Sequence, residues 1–215
     1  MIFFVREARG TKRAGISFKV GIMSISPEFK LYLAIAMLFA LGNFSWAFLV
    51  LRAKDVGVAA GLTGLEAAGY IALFYAFQNL IYALVSTPSG ILSDRVGRRP
   101  VIALGYGVFG ITCVGFALAS TPWHAIALFA TYGLFRGITD GVQKAYVSDL
   151  VVPQLRGTAM GIFDAAVGIA AFPASFVVGI IWYGINAQAA FAYGAVLSFT
   201  ASVLLLAALR RSKGS

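Results

Sequence analysis

The stretch Pro122–Ser148 reads PWHAIALFATYGLFRGITDGVQKAYVS, apolar in its first half and carrying Arg136, Asp140 and Lys144 in its second. Whether it crosses a bilayer decides how many times the whole chain does. Placed at 100° per residue, Gln143, Arg136, Asp140, Gly133, Lys144, Gly137 and Gly141 fall within one arc of about 160°, opposite Phe135, Ile138, Val142 and Tyr146. One face is polar and small, the other apolar. Such a helix turns its ionisable side away from acyl chains, because a charge in hydrocarbon costs several kcal/mol.

Working outward, the 215 residues are 60% hydrophobic and only 12% charged, with mean hydropathy +0.87. That composition excludes an ordinary soluble enzyme or a disordered tail. A crossing needs roughly 20 apolar residues. Charge-free windows occupy Leu31–Leu51, Ala67–Ser93, Pro100–Phe135 and Ala165–Leu209, the third dividing at Ser120–Pro122 and the last at Tyr183–Asn186. The basic residues decide the ambiguous span. They cluster before the first window (Arg6, Arg9, Lys12, Arg13, Lys19, Lys30), after the second (Arg95, Arg98, Arg99) and at the tail (Arg210, Arg211, Lys213), with Arg156 between the fourth and fifth spans. Under the positive-inside rule these groups share one side only if Pro122–Ser148 crosses. The expectation is an all-α polytopic membrane protein with six transmembrane helices near 27–52, 63–92, 100–119, 122–148, 153–183 and 187–209, and both termini in the cytoplasm. Residues 1–29 form a basic linker able to lie on an anionic leaflet, 30–209 the membrane domain, and 210–215 a basic tail. The net charge of +9 is spread over these connections and makes no compact patch, so nucleic acid is not an expected partner. The plasma membrane, the inner membrane in a bacterium, is the expected location.

Local signals set the helix starts. Pro27, Pro100, Pro122 and Pro153 sit at expected first turns, where a missing N–H costs nothing. Ser26 and Thr121 are N-cap candidates, and Thr63–Glu66 fits a capping box. Pro88 and Pro173 lie inside spans and are expected to kink them.

The polar residues then sort the helices. The third and sixth spans carry no charge and so can face lipid all round. Candidate transport or coupling residues lie on the others: Asn43 on the first, Gln78, Asn79 and Tyr82 on the second, Arg136 and Asp140 on the fourth, and Asp164 on the fifth. Asp164 stands about 12 Å along its helix from Arg156 and has no evident intrahelical partner. Arg136, Asp140 and Asp164 form either a substrate or proton-coupling site, or a neutral clamp between helices. Asn43, Gln78, Asn79 and Tyr82 suit interhelical hydrogen bonding better than a transport role. Lys144 is expected to snorkel to the interface. Gly133, Gly137 and Gly141, and likewise Gly157 and Gly161, are spaced for close helix approach.

Between the second and third spans stands Gly90-Ile91-Leu92-Ser93-Asp94-Arg95-Val96-Gly97-Arg98-Arg99-Pro100. Gly97 permits a tight reversal, and the arginines can lock onto carboxylates or carbonyls. This loop resembles the G-x-L-[SA]-D-R-x-G-R-[RK] motif of the major facilitator superfamily. Phe39–Ser45 and the run from Asp149 to Gly161 look like that family's second half, so the likeness covers residues 30 to 209. The resemblance implies that Gly90, Asp94, Arg95, Gly97, Arg98 and Arg99 form a cytoplasmic latch that helps control alternating access. It also implies secondary transport of a small solute by alternating access, and proton coupling through Asp164 is the expected drive. Family members have two six-helix halves with substrate between them, and this chain matches one. Its expected partners are the bilayer, a small-molecule substrate, and either a second six-helix half or a second copy. The alternative is a membrane interaction or scaffold protein, or a truncated half that moves no solute.

Catalysis is not expected. The single His124 and single Cys113 leave no metal or nucleophile set, and no cofactor is called for. Gly105–Gly110 spells G-x-G-x-x-G, but inside an apolar helix it signals packing rather than a dinucleotide.

Overall fold

The computed structural model describes residues 26–212. Residues 1–25 of the expected linker and 213–215 of the expected tail lie outside the described residues. Among the described residues seven α-helices follow in order: α1 Pro27–Gly42, α2 Ala47–Ala59, α3 Gly64–Val96, α4 Arg98–Leu118, α5 Pro122–Asp149, α6 Arg156–Gly184 and α7 Ala187–Ser212. A 3-10 turn, Pro153–Leu155, leads into α6, and no strand occurs among the described residues. Five stretches are long and apolar enough to cross a membrane: α1 with α2, then α3, α4, α6 and α7. The helix α5 matches them in length at 28 residues, but its charged half keeps it out of that set.

Most starts follow the sequence signals. The Phe29 N–H donates to Ser26 Oγ at 3.2 Å, capping α1, with Pro27 in the first turn. The capping box at α3 is complete: the Glu66 N–H donates to Thr63 Oγ1, and Glu66 Oε2 accepts from the Thr63 N–H at 2.9 Å. Thr121, by contrast, makes no side-chain cap for α5. At the other end of α4, Arg52 of α2 donates to the carbonyls of Phe116 and Ala119 at 3.1 and 2.9 Å, satisfying two acceptors that a helix C-terminus leaves orphaned. Helices α3 and α6 run through Pro88 and Pro173 without interruption.

The first expected span departs from its prediction. It is broken at Asn43–Trp46 into α1 and α2. Ser side chains offer the backbone alternatives to the helix ladder, and here they are taken up. The Ala47 N–H donates to Ser45 Oγ at 3.3 Å, while the Ser45 N–H donates to Ser175 Oγ of α6 at 3.1 Å. Phe44 turns inward to edge contacts with Phe48, Phe109 and Phe191. Beside the break α1 meets α7 so closely that a Cβ on Gly42 would lie 2.8 Å from Leu197 Cβ, and one on Gly194 3.0 Å from the Gly42 oxygen.

A second expectation is overturned. Helices α4 and α7, the uncharged pair, do not face lipid all round. Of their most apolar stretches 56% and 44% are buried within the chain, against 12% for α3 and 17% for α6. Lipid tails are as apolar as leucine, so burial in a membrane protein follows small residues rather than hydrophobicity. A Cβ on Gly105 would come 2.2 Å from Thr139 Cγ2 of α5, and one on Gly110 2.8 Å from Phe199 of α7. The G-x-G-x-x-G run is thus a packing face. Ser202 of α7 adds a hydrogen bond to the Ala103 carbonyl at 2.7 Å. Tyr106, Phe109, Phe116, Phe129 and Phe191 fill the resulting core, with Phe39 stacked on Tyr106 at 3.7 Å.

Candidate functional site: a polar cavity and a basic clasp

The glycines of α5 settle which way its polar face looks. A Cβ on Gly133 would stand 2.4 Å from the Gln78 carbonyl oxygen, and one on Gly137 2.9 Å from Val85 Cβ, so α3 packs against that edge. Gly141 meets nothing within 4 Å, and neither do Gly157 and Gly161. Those three therefore make no close helix approach, because no neighbouring helix lies over them. The space beside Gly141 is a half-open cavity of about 590 Å³.

Its walls come from four helices. Ala36, Phe39, Ala40 and Asn43 lie along and just past α1, and Tyr82 comes from α3. Tyr132, Phe135, Arg136, Asp140, Gln143 and Lys144 belong to α5, and Phe163 and Val167 to α6. Arg136 donates to Asp140 Oδ2 at 2.9 Å and places its guanidinium 5.2 Å from the centre of the Tyr82 ring, a cation–π contact. Both charged side chains remain partly exposed, at 40% and 35%. Gln143 is held from behind: the hydroxyls of Tyr106 and Tyr32 donate to its Oε1 at 3.0 and 3.4 Å. Lys144 forms no ion pair among the described residues.

The structure therefore brings together Asn43, Tyr82, Arg136 and Asp140 among the candidates. Three others stand apart. Gln78 is buried and its Oε1 accepts from Trp46 Nε1 at 3.1 Å, tying α3 to the start of α2. Asn79 bonds back to the Tyr75 carbonyl at 2.7 Å on its own helix. Asp164 is exposed on α6, one residue along from Phe163, and does not line the cavity. Gln143 and Lys144 were missed as candidates, although the helical wheel put both on the same arc as Arg136.

The second polar site is the turn from α3 to α4. Gly97 has φ +96°, a conformation that side chains with a Cβ rarely adopt, and it lets α4 start immediately with Arg98. Arg98 contacts Asp94 at 2.9 Å, Ser93 Oγ at 2.9 Å and Asp149 Oδ2 at 2.9 Å. Arg99 reaches Glu28 at 3.3 Å, donates to the Tyr146 hydroxyl and lies 5.5 Å over that ring. Ser26 Oγ adds a bond to the Leu150 carbonyl at 3.2 Å. Four helix ends, those of α1, α3, α4 and α5, are clasped together. Of the residues expected in this motif, Asp94, Gly97, Arg98 and Arg99 take part directly. Gly90 accepts from Ser93 Oγ through its carbonyl at 2.7 Å, and Arg95 is exposed in the last turn of α3. Glu28, Tyr146 and Asp149 are the partners that the motif alone does not name.

Comparison with known proteins agrees with this architecture. The family model described as Major Facilitator Superfamily matches residues 31–215. An uncharacterized MFS-type transporter of Methanocaldococcus jannaschii is 39% identical over 206 residues, which is 95% of this chain and 51% of that protein. The inner membrane transport protein YajR of Escherichia coli is 33% identical over 63% of the chain and 30% of its own length. The protein Zinc Induced Facilitator 1 of Arabidopsis thaliana is 33% identical over 67% of the chain and 26% of its own length. The chain thus spans about half the length of the first of these relatives and less of the others. Family match, apolar helices and clasp together identify an integral membrane protein that belongs to the Major Facilitator Superfamily.

Proposed function

We propose that the chain makes six membrane crossings with both termini in the cytoplasm and serves as one half of an alternating-access secondary transporter. It moves a small solute, couples that movement to protons, and resides in the plasma membrane, the inner membrane of a bacterium. The observation that carries this reading is the half-open cavity of about 590 Å³ around the Arg136–Asp140 pair. A water-accessible ionisable pair within a membrane bundle is costly unless it serves a path, and a transporter half holds only part of the wall around its substrate. The missing wall comes from a second six-helix half or from a second copy of the chain.

The sixth crossing is α5. It packs along both α3 and α4, and its apolar face of Phe135, Ile138, Val142 and Val147 is buried. A helix lying along two membrane-spanning neighbours shares their slab. Its charged face looks into the cavity instead of lipid, which explains why composition alone leaves it out of the apolar set. With both termini cytoplasmic, the Arg98–Arg99 clasp lies on the cytoplasmic face and acts as the gate latch.

Single-cysteine variants in a Cys113→Ala background test the topology. His124→Cys and Lys144→Cys are expected to react with membrane-impermeant maleimide from opposite sides; reaction from the same side overturns the six-crossing reading. Coupling is tested in pyranine-loaded proteoliposomes challenged with a panel of small organic solutes. A solute-dependent internal pH change that Asp164→Asn abolishes without loss of folded protein is the expected result. A folded Asp164→Asn variant with full coupled flux removes Asp164 from that role. Complete absence of flux, with the chain bound to other membrane bundles, favours the scaffold alternative.

A further inference from the structure

We propose that the cavity takes a small organic anion, with its acidic oxygens on the Lys144 and Gln143 side and an apolar body against Phe39 and Phe163. This rests on reading the cavity as a substrate site and adds the chemical class of the substrate.

The argument begins with Gln143. Its Oε1 has two lone pairs, and the Tyr106 and Tyr32 hydroxyls donate into both. That arrangement satisfies two buried phenol protons at once. The reverse orientation of the amide would leave at least one of those protons unplaced. Both tyrosines are buried to 1% exposure or less, so they hold the amide rigidly. The Gln143 amide nitrogen has no acceptor among the described residues, and Gln143 lines the cavity. A rigid pair of N–H donors faces the open space.

Charge points the same way. The cavity is lined by two cations, Arg136 and Lys144, and one anion, Asp140. Arg136 neutralises Asp140 at 2.9 Å. Among the described residues Lys144 is left over, so the wall carries one uncompensated positive charge beside the Gln143 amide donors. Asp164, the acid on the neighbouring helix, does not line the cavity. Preorganised donors beside a lone ammonium recognise an oxyanion. The aromatic and aliphatic residues of α1 and α6 leave an apolar surface for the rest of the molecule.

The probes are benzoate, benzylamine and benzyl alcohol, of similar shape but different charge, with hexanoate and phenyl phosphate to separate carboxylates from phosphate esters. Binding to the full chain in nanodiscs is measured by thermal shift and by isothermal titration. Benzoate or hexanoate is expected to bind at least tenfold more tightly than benzylamine. Lys144→Gln, at an exposed position, is expected to lower that preference about tenfold, and Lys144→Glu to reverse it, with folding intact. Preferential binding of phenyl phosphate supports the anion class and assigns the phosphate ester within it. Benzylamine bound as tightly as the anions, no anion bound at all, or a charge preference unmoved by Lys144→Glu overturns the proposal. Failure of transport would show separately, as anion binding without any flux in proteoliposomes.

Discussion

At the α3–α4 turn, Arg98 and Arg99 reach Asp149 and Glu28, 51 and 71 positions away, whereas in the cavity Arg136 pairs with Asp140 one turn along its own helix. The first arrangement ties separate helices, so breaking it frees them to move relative to each other. The second closes within α5, and Arg136 reaches another helix only by its cation–π contact with Tyr82 of α3, so a solute can approach the pair without unlocking the bundle. Charge distribution differs too. At the clasp, the acids Asp94, Asp149 and Glu28 surround the two arginines; the cavity keeps one lysine that has no ion pair among the described residues. The same residue types thus make a fastening in one place and a receptive surface in the other.

The contrast predicts a graded set of outcomes. The largest effect belongs to the α5 glycines. Gly133→Leu would drive a Cβ to 2.4 Å from the Gln78 backbone oxygen, which cannot swing aside. The expected result is loss of monodisperse protein in fluorescence-detected size exclusion. Gly141→Ala, with open space beyond, is expected to elute as the parent chain does. Equal behaviour of the two would mean that the cavity wall does not depend on α3 lying against α5.

Next comes Gln78→Leu. It removes the acceptor of the partly buried Trp46 N–H, which now donates to Gln78 at 3.1 Å, and is expected to cost about 0.5–1.5 kcal/mol. Thermal unfolding in detergent should reveal it as a lower Tm. An unchanged Tm would show that the α2–α3 link adds nothing to the scaffold holding the cavity.

The clasp and the cavity pair are compared most directly by double-mutant cycles. Arg98→Ala with Asp149→Ala is expected to give a coupling of about 1 kcal/mol, weakened in high salt because Asp149 is half exposed. Arg136→Ala with Asp140→Ala should couple by only about 0.3–0.5 kcal/mol, as partly exposed pairs within one helix do. A larger coupling in the cavity than at the clasp would reverse the assignment of fastening and receptive site.

Much of this was legible in the chain. Prolines and caps placed the helix starts within a few residues, because a first turn needs no N–H from proline and rewards an acceptor at Ser26 or Thr63. The helical wheel of Pro122–Ser148 put Arg136, Asp140 and Gln143 on one face. A wheel reports which residues share a face but not what stands opposite. Gln78 and Asn79 therefore suited either a transport path or interhelical hydrogen bonding; Gln78 takes the second role with Trp46, and Asn79 bonds to its own helix's backbone. The polarity argument for α4 and α7 failed for a related reason: an uncharged helix is equally comfortable against lipid and protein. Its glycines carried the better signal.

From the sequence alone came the helical, membrane-embedded character, the position of the basic turn and the polar stripe of the fourth span. All of these follow from local spacing and from the cost of polar groups in hydrocarbon. The tertiary structure decided the break at Asn43–Trp46, the burial of α4 and α7, the clasp partners Glu28, Tyr146 and Asp149, and the opening beside Gly141. Each depends on residues far apart in the chain meeting, and only packing determines which surfaces touch and which remain open.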